Sequence, residues 1–143
     1  MQWPSWQIGR ALGIPIRVHA SWFLVFLLVT WTLSTGYLPE GLPGLSPARY
    51  WAMGAAAAIL LFLSVLLHEL GHSYVALRYC IPIDRITLFI FGGVAHMRKE
   101  APTPRAEFLI AVAGPAVSFA LGGVCFGFIA LAESIPEPRD VQG

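Results

Sequence analysis

Charged side chains are scarce in this 143-residue sequence: Asp, Glu, Lys and Arg together make up only 12% of it. Hydrophobic residues make up 57%, and the mean hydropathy is +0.69. A chain so poor in charge is expected to have lipid as the solvent for much of its length. The formal net charge of +1 leaves no basic stripe that could neutralise a run of phosphates, which argues against a nucleic-acid partner.

Cysteine is also rare, and its placement excludes two further classes of protein. Cys80 and Cys125 lie in different segments and form no CxxC pair. The sequence therefore predicts neither a disulfide framework nor a thiolate zinc site. Residues 1–17 are interrupted by tryptophan and proline and lack the apolar core of a signal peptide, so the first apolar run is expected to remain in the mature protein.

Three long apolar runs dominate what is present. They cover residues 18–35, 51–79 and 108–132, and each is long enough to cross a hydrocarbon core as a helix. Between the second and third runs, residues 83–97 contain short β-favouring stretches separated by Gly92 and Gly93, which predicts a small hairpin with its turn at the glycines. The predicted fold class is thus an all-α membrane protein with three transmembrane helices and a β hairpin. Residues 1–133 form its core, and residues 134–143 form a polar tail.

The placement of Lys and Arg predicts the orientation of these helices. Seven of the nine lie before the first run, at the end of the second run or between the second and third: Arg10, Arg17, Arg78, Arg85, Arg98, Lys99 and Arg105. Only Arg49 and Arg139 lie on the other side. Because positive charge favours the cytoplasmic side, we expect a multi-pass protein of the cell membrane with its N-terminus and its hairpin in the cytoplasm.

The second apolar run contains the sequence His68-Glu69-Leu70-Gly71-His72. Histidines four residues apart on an α-helix lie on one face, so both imidazoles can bind one Zn²⁺ ion. Glu69, beside them, can act as the general base toward the hydrolytic water. The sequence therefore predicts His68 and His72 as metal ligands, Glu69 as the catalytic residue and peptide hydrolysis as the reaction.

Two other interpretations of the motif fit the sequence less well. A metal transporter would need more intramembrane carboxylates or histidines along a continuous path than these three residues supply. A membrane-anchored protease with a cytosolic HExxH helix would have charges around the motif, whereas residues 51–67 have none. The remaining histidines, His19 and His96, are expected to have capping or interfacial roles.

Three motifs in order resemble the site-2 protease family of intramembrane metalloproteases. They are HExxH in a membrane helix, Phe91-Gly92-Gly93-Val94-Ala95 after a short strand, and Ala113-Gly114-Pro115 in the next helix. The segment Gly13-Ile14-Pro15-Ile16-Arg17-Val18-His19 is similar to the bacterial branch that often carries CBS domains.

The resemblance implies several further properties. Substrates would be single-span membrane proteins such as anti-sigma factors, within the lipid bilayer. Gly92 and Gly93 would belong to a hairpin edge that binds an extended substrate segment. Ser118 stands where many relatives have asparagine, and either contacts substrate or bonds back to its own helix.

The resemblance also implies a third zinc ligand, an aspartate in an Asp-Gly pair of a later helix. The sequence has no such pair, and its two aspartates, Asp84 and Asp140, lie outside the apolar runs. The chain is therefore expected to be an N-terminal fragment. An alternative is a truncated, catalytically inactive relative. With that later helix missing, the faces of the second and third helices that include Gly114, Gly122 and Gly123 are expected to lack their normal packing partner.

Overall fold

The computed structural model describes residues 4–135 of the chain. In chain order the elements are strands β1 (Ser5–Ala11) and β2 (Ile14–His19), helix α1 (Ala20–Gly41), helix α2 (Pro47–Arg78), strands β3 (Ile83–Phe89) and β4 (Gly92–Met97), and helix α3 (Pro104–Ser134). The three helices are each long and apolar enough to cross a membrane, by length and composition. This confirms the prediction of a helical membrane protein with three spans.

The β structure is larger than the predicted hairpin. Four strands form one sheet in the order β1-β2-β3-β4, with β2 and β3 parallel and the outer pairs antiparallel. The two N-terminal strands were not predicted. The signal for β2 is a period-two pattern, since Ile14, Ile16 and Val18 are buried on one face while the residues between them are more exposed. Strand β1 is mostly exposed and has no such alternation.

The helices extend beyond several of the predicted boundaries, to Ala20–Gly41, Pro47–Arg78 and Pro104–Ser134, and two boundary differences have identifiable reasons. The first helix begins at Ala20 rather than at residue 18, because Val18 and His19 belong to β2 and the His19 side chain accepts the backbone N–H of Ser21 as an N-cap. The hairpin turn lies at residues 90–91, two residues before the predicted glycines. Gly92 follows the turn with φ of +120°, a conformation that favours glycine.

Helix α2 is the central element because α1, the sheet and α3 all contact it. Pro47 occupies its first turn after Ser46 at the N-cap position, although the Ser46 side chain makes no capping hydrogen bond. At the other end Cys80 adopts a left-handed conformation, with φ of +58°. The N–H of Ile81 then bonds the carbonyl of Ala76 at 3.0 Å, which ends the helix and turns the chain toward β3.

Candidate functional site

The HExxH residues lie on α2, and their metal-binding atoms converge. The Nε2 atoms of His68 and His72 are 3.1 Å apart. One ligand atom from each of these histidines and from Glu69 can be chosen so that all three lie within 4.8 Å of one another. The helix produces this arrangement because residues four apart stand one turn above each other on the same face. The predicted metal ligands and catalytic residue thus form one cluster.

Helix α3 holds the outer nitrogen of each imidazole. His72 Nδ1 donates a hydrogen bond to the backbone carbonyl of Ile110 at 2.6 Å. His68 Nδ1 lies 2.8 Å from Ser118 Oγ. Such contacts fix the ring orientation and leave Nε2 of each histidine directed toward the shared point between them.

Two glycines allow α2 and α3 to approach each other at the motif. A Cβ atom on Gly71 would lie 2.8 Å from the carbonyl oxygen of Ala113. A Cβ atom on Gly114 would collide with the imidazoles of both His72 and His68. Gly114 is therefore packed, contrary to the expectation that it lacks a partner. Gly122 and Gly123 were also expected to lack a partner, and a Cβ atom on either would have no neighbour within 4 Å.

The edge strand β4 runs past the other side of the cluster. A Cβ atom on Gly93 would lie 2.6 Å from Cγ of Glu69, so glycine is required for this strand to pass so closely. The backbone N–H of Ala95, two residues further along, interacts with the Glu69 carboxylate. The carboxylate is thereby held between α2 and a strand whose second edge pairs with no other strand among the described residues.

A cleft of about 900 Å³ opens between α2, β4 and α3. Its walls include Glu69 and His72 from α2, Gly93 and Ala95 from β4, and Ile110 from α3. Charged side chains of Arg98, Lys99, Glu100 and Glu107 also line it. The cleft gives a peptide-sized molecule access to the carboxylate and to one of the two imidazoles.

Of the remaining residues that the sequence analysis singled out, one lines this cleft and the other described ones lie outside it. Gly93 lines it, whereas Gly92 and Ser118 do not. His19 and His96 line a separate cavity of about 250 Å³ together with Thr87, and His96 lies 3.5 Å from the Thr87 hydroxyl. Asp84 pairs with Arg98 at 2.6 Å and with Arg85 at 3.0 Å, outside the cluster. Asp140 lies outside the described residues.

Sequence reasoning missed three contributors to the site: Ile110, Ala95 and Gly71. The first two act through a backbone carbonyl and a backbone N–H, for which the side chain gives no signal. Gly71 could have been found, since a small residue inside a membrane helix often marks a close helix contact.

The cluster supplies two nitrogen donors at a spacing that fits a zinc ion. Two nitrogens bound to one tetrahedral zinc at ~2.0–2.1 Å lie about 3.3 Å apart, close to the 3.1 Å between the Nε2 atoms of His68 and His72. The Nδ1 atom of each histidine already contacts an oxygen of α3, and zinc-binding histidines commonly use their second ring nitrogen in this way. His68 and His72 would hold the ion, with Glu69 beside it.

The chain is similar in sequence to proteins that are named zinc metalloproteases. The chain is 46% identical over 132 residues to a candidate zinc metalloprotease of Synechocystis sp., covering 92% of this chain and 34% of the relative. It is 42% identical over 118 residues to a zinc metalloprotease of Methanocaldococcus jannaschii, covering 82% and 30%. The solved structure of a site-2 protease from Methanocaldococcus jannaschii matches with a TM-score of 0.60 and 40% identity, covering 85% of this chain and 49% of that one. The chain spans about a third of the length of these sequence relatives.

A model of one protein family matches residues 56–139, a stretch that begins in α2 before the HExxH motif and includes β3, β4 and all of α3. This stretch contains the two imidazoles, the carboxylate, the edge strand and the helix that holds the histidines. Together with relatives more than 40% identical, it shows that the chain belongs to peptidase family M50, the family of the site-2 proteases.

Proposed function

We propose that the protein is an intramembrane zinc endopeptidase. The observation that carries the proposal is the convergence of two imidazole Nε2 atoms and the Glu69 carboxylate beside an edge strand, within a helix apolar enough to span a membrane. Ionisable groups in such a helix are costly to bury and are retained for function. The family and the zinc metalloprotease relatives support the same activity.

The chemistry follows from the roles that the cluster offers. A zinc ion held by His68 and His72 would lower the pKa of water toward ~7 and polarise the scissile carbonyl. Glu69 takes the proton from the attacking water and delivers it to the leaving amine. The N–H of Ala95 and the close passage of Gly93 hold the Glu69 carboxylate in place for both transfers. The aspartate implied by the site-2 protease resemblance would be the third ligand.

The edge of β4 is the proposed binding place for the substrate backbone. A helical peptide bond is shielded from attack, so a membrane-spanning substrate must unwind before cleavage, and its freed N–H and C=O groups need partners. An unpaired strand edge supplies them by strand addition. Gly92 and Gly93 form the start of this edge, and Gly93 also lines the cleft. Ser118 reaches the site through its contact with His68.

The substrates we propose are single-span membrane proteins, such as anti-sigma factors, cut near the cytoplasmic face of the cell membrane. Support for the substrate class comes from the site-2 protease resemblance, and support for the orientation comes from the seven-to-two bias in Lys and Arg. The sheet follows the end of α2 that carries Arg78, so the cluster lies toward the more basic side.

Replacement of Glu69 by glutamine tests the proposal. The amide keeps the size of the side chain but cannot take a proton, so cleavage of a single-span substrate in proteoliposomes should fall by about 10²–10⁴-fold. Zinc content, measured by elemental analysis of the complete protein, should not change. Glu133→Gln, at the far end of α3, is the matched control and should cleave like wild type. Activity of Glu69→Gln within tenfold of wild type would exclude Glu69 as the base.

A further inference from the structure

Three positions on α3 form one stripe that faces the histidines. Ile110, Gly114 and Ser118 are spaced by four residues and therefore lie on the same face of the helix. The Ile110 carbonyl accepts from His72, and Gly114 leaves space for both rings. Ser118 Oγ lies 2.8 Å from Nδ1 of His68. Each imidazole thus meets one oxygen of the stripe.

The proton on each Nδ1 follows from the chemistry of its partner. A carbonyl oxygen can only accept, so His72 Nδ1 carries the proton and its Nε2 has a free lone pair. His68 must have the same tautomer if its Nε2 is to bind the same metal ion. The Ser118 hydroxyl can accept from Nδ1 and so stabilises that tautomer in His68.

Two other serines of the membrane helices have partners of another kind, while Ser34 of α1 crosses to the backbone carbonyl of Tyr50 in α2 at 3.0 Å. Ser134 of α3 bonds the carbonyl of Leu131 at 2.7 Å, and Ser64 of α2 bonds that of Leu61 at 2.6 Å. Both contacts are to the serine's own helix, as is common for serine in membrane helices. The hydrogen bond of Ser118 instead crosses to another helix and ends on an imidazole.

We propose that Ser118 is a positioning residue for zinc, which sets the tautomer and the ring orientation of His68 from the neighbouring helix. The inference rests on the proposed zinc site but goes beyond it, because it assigns the hydroxyl to the metal ligand instead of to the substrate. Loss of a hydrogen-bond partner that orients a metal-binding histidine lowers metal affinity by about 10–100-fold.

Zinc affinity measured by chelator competition on the complete protein in detergent tests this role. Ser118→Ala should bind zinc about 10–100-fold more weakly than wild type. Ser118→Thr keeps a hydroxyl at the same position and should restore the affinity. Ser134→Ala removes a serine hydroxyl from the same helix away from the site and should match wild type.

A spectroscopic measurement separates positioning from general damage to the fold. In the Co²⁺-substituted protein, Ser118→Ala should change the visible d–d absorption while the thermal unfolding temperature stays that of wild type. Ser118→Thr should keep the wild-type spectrum. Equal zinc affinity in wild type and Ser118→Ala would overturn this inference alone, whereas failure of the wild type to bind zinc would overturn the proposed metalloprotease as well.

Discussion

Gly114 and Gly123 occupy the same helix in opposite surroundings. A side chain on Gly114 would meet both imidazoles of the HExxH motif, whereas one on Gly123 would meet nothing within 4 Å. The difference extends to the neighbouring side chains, since Ile110 is buried while Phe119 and Phe126 are 83% and 74% exposed. Among the described residues, α3 is therefore closely packed only in the half that contacts the histidines of α2. The glycines of the other half face open space.

The glycines of the packed region allow a close contact between α2 and α3. At Gly71 and Gly114, glycine lets two helices approach until one can hydrogen-bond the histidines of the other. In a membrane such close approach also contributes van der Waals packing between helices, in the absence of a hydrophobic driving force. The remaining glycines of α3 have no such function among the described contacts.

Gly114→Ala is expected to have the largest effect of any glycine substitution in α3. Its methyl group would collide with the rings of His68 and His72, so the two Nε2 atoms could no longer converge. We expect zinc content of the purified complete protein to fall by tenfold or more and cleavage to be lost. Gly123→Ala is the matched control and should keep both. Equal zinc content in the two variants would show that the space at Gly114 is not needed for the histidines to bind zinc.

Gly71→Ala should have an intermediate effect, on stability more than on chemistry. Its Cβ would lie 2.8 Å from both the Ala113 carbonyl oxygen and a methyl group of Val117, so α2 and α3 must separate. Overpacking of this kind costs about 1–3 kcal/mol. Thermal unfolding in detergent measures it.

The control for Gly71→Ala is Gly127→Ala, because Gly127 has open space around it and alanine favours a helix by up to about 1 kcal/mol. The two variants should shift the unfolding temperature in opposite directions. A decrease of the same size in both would mean that close packing is not limited to the motif.

The smallest expected effect concerns an exposed ionic contact, in contrast to the packed site. The hydrogen bond from Arg98 to Asp84, together with the positive charges of Arg98 and Arg85, lowers the pKa of Asp84 below its usual value. A carboxyl group with a lowered pKa in the folded state stabilises the fold above its unfolded-state pKa. This contribution is lost as the pH falls through the folded-state value.

Unfolding temperatures of wild type and Asp84→Asn across the acid range measure this contribution. Wild type should be slightly more stable at neutral pH, and the difference should disappear as the pH falls below the ordinary aspartate range. The difference is small because the pair is exposed to solvent. A difference that stays constant down to acid pH would show that the two variants do not differ through this titration.

The metal-binding cluster and the helices could be predicted from the sequence because both depend on residues that are close together along the chain. Apolar runs of spanning length predicted the three helices, and the four-residue spacing of His68 and His72 predicted their convergence. The pairing of β2 with β3 could not be predicted from a local pattern, because α1 and α2 separate these two strands in the sequence. The expectation for Gly114 was wrong because a glycine does not reveal which neighbouring helix will pack on it. Ile110 contributes a backbone carbonyl, which any residue carries.

Zinc stoichiometry of the complete protein decides whether His68 and His72 hold the metal. The His68→Ala, His72→Ala double variant removes both imidazoles from the cluster and leaves α3 and the sheet unchanged. Elemental analysis should find one zinc per chain in the wild type and none in the double variant, because both histidines direct Nε2 at one point. Undiminished zinc in the double variant would show that the metal is held by other residues and that the HExxH motif is not the zinc site.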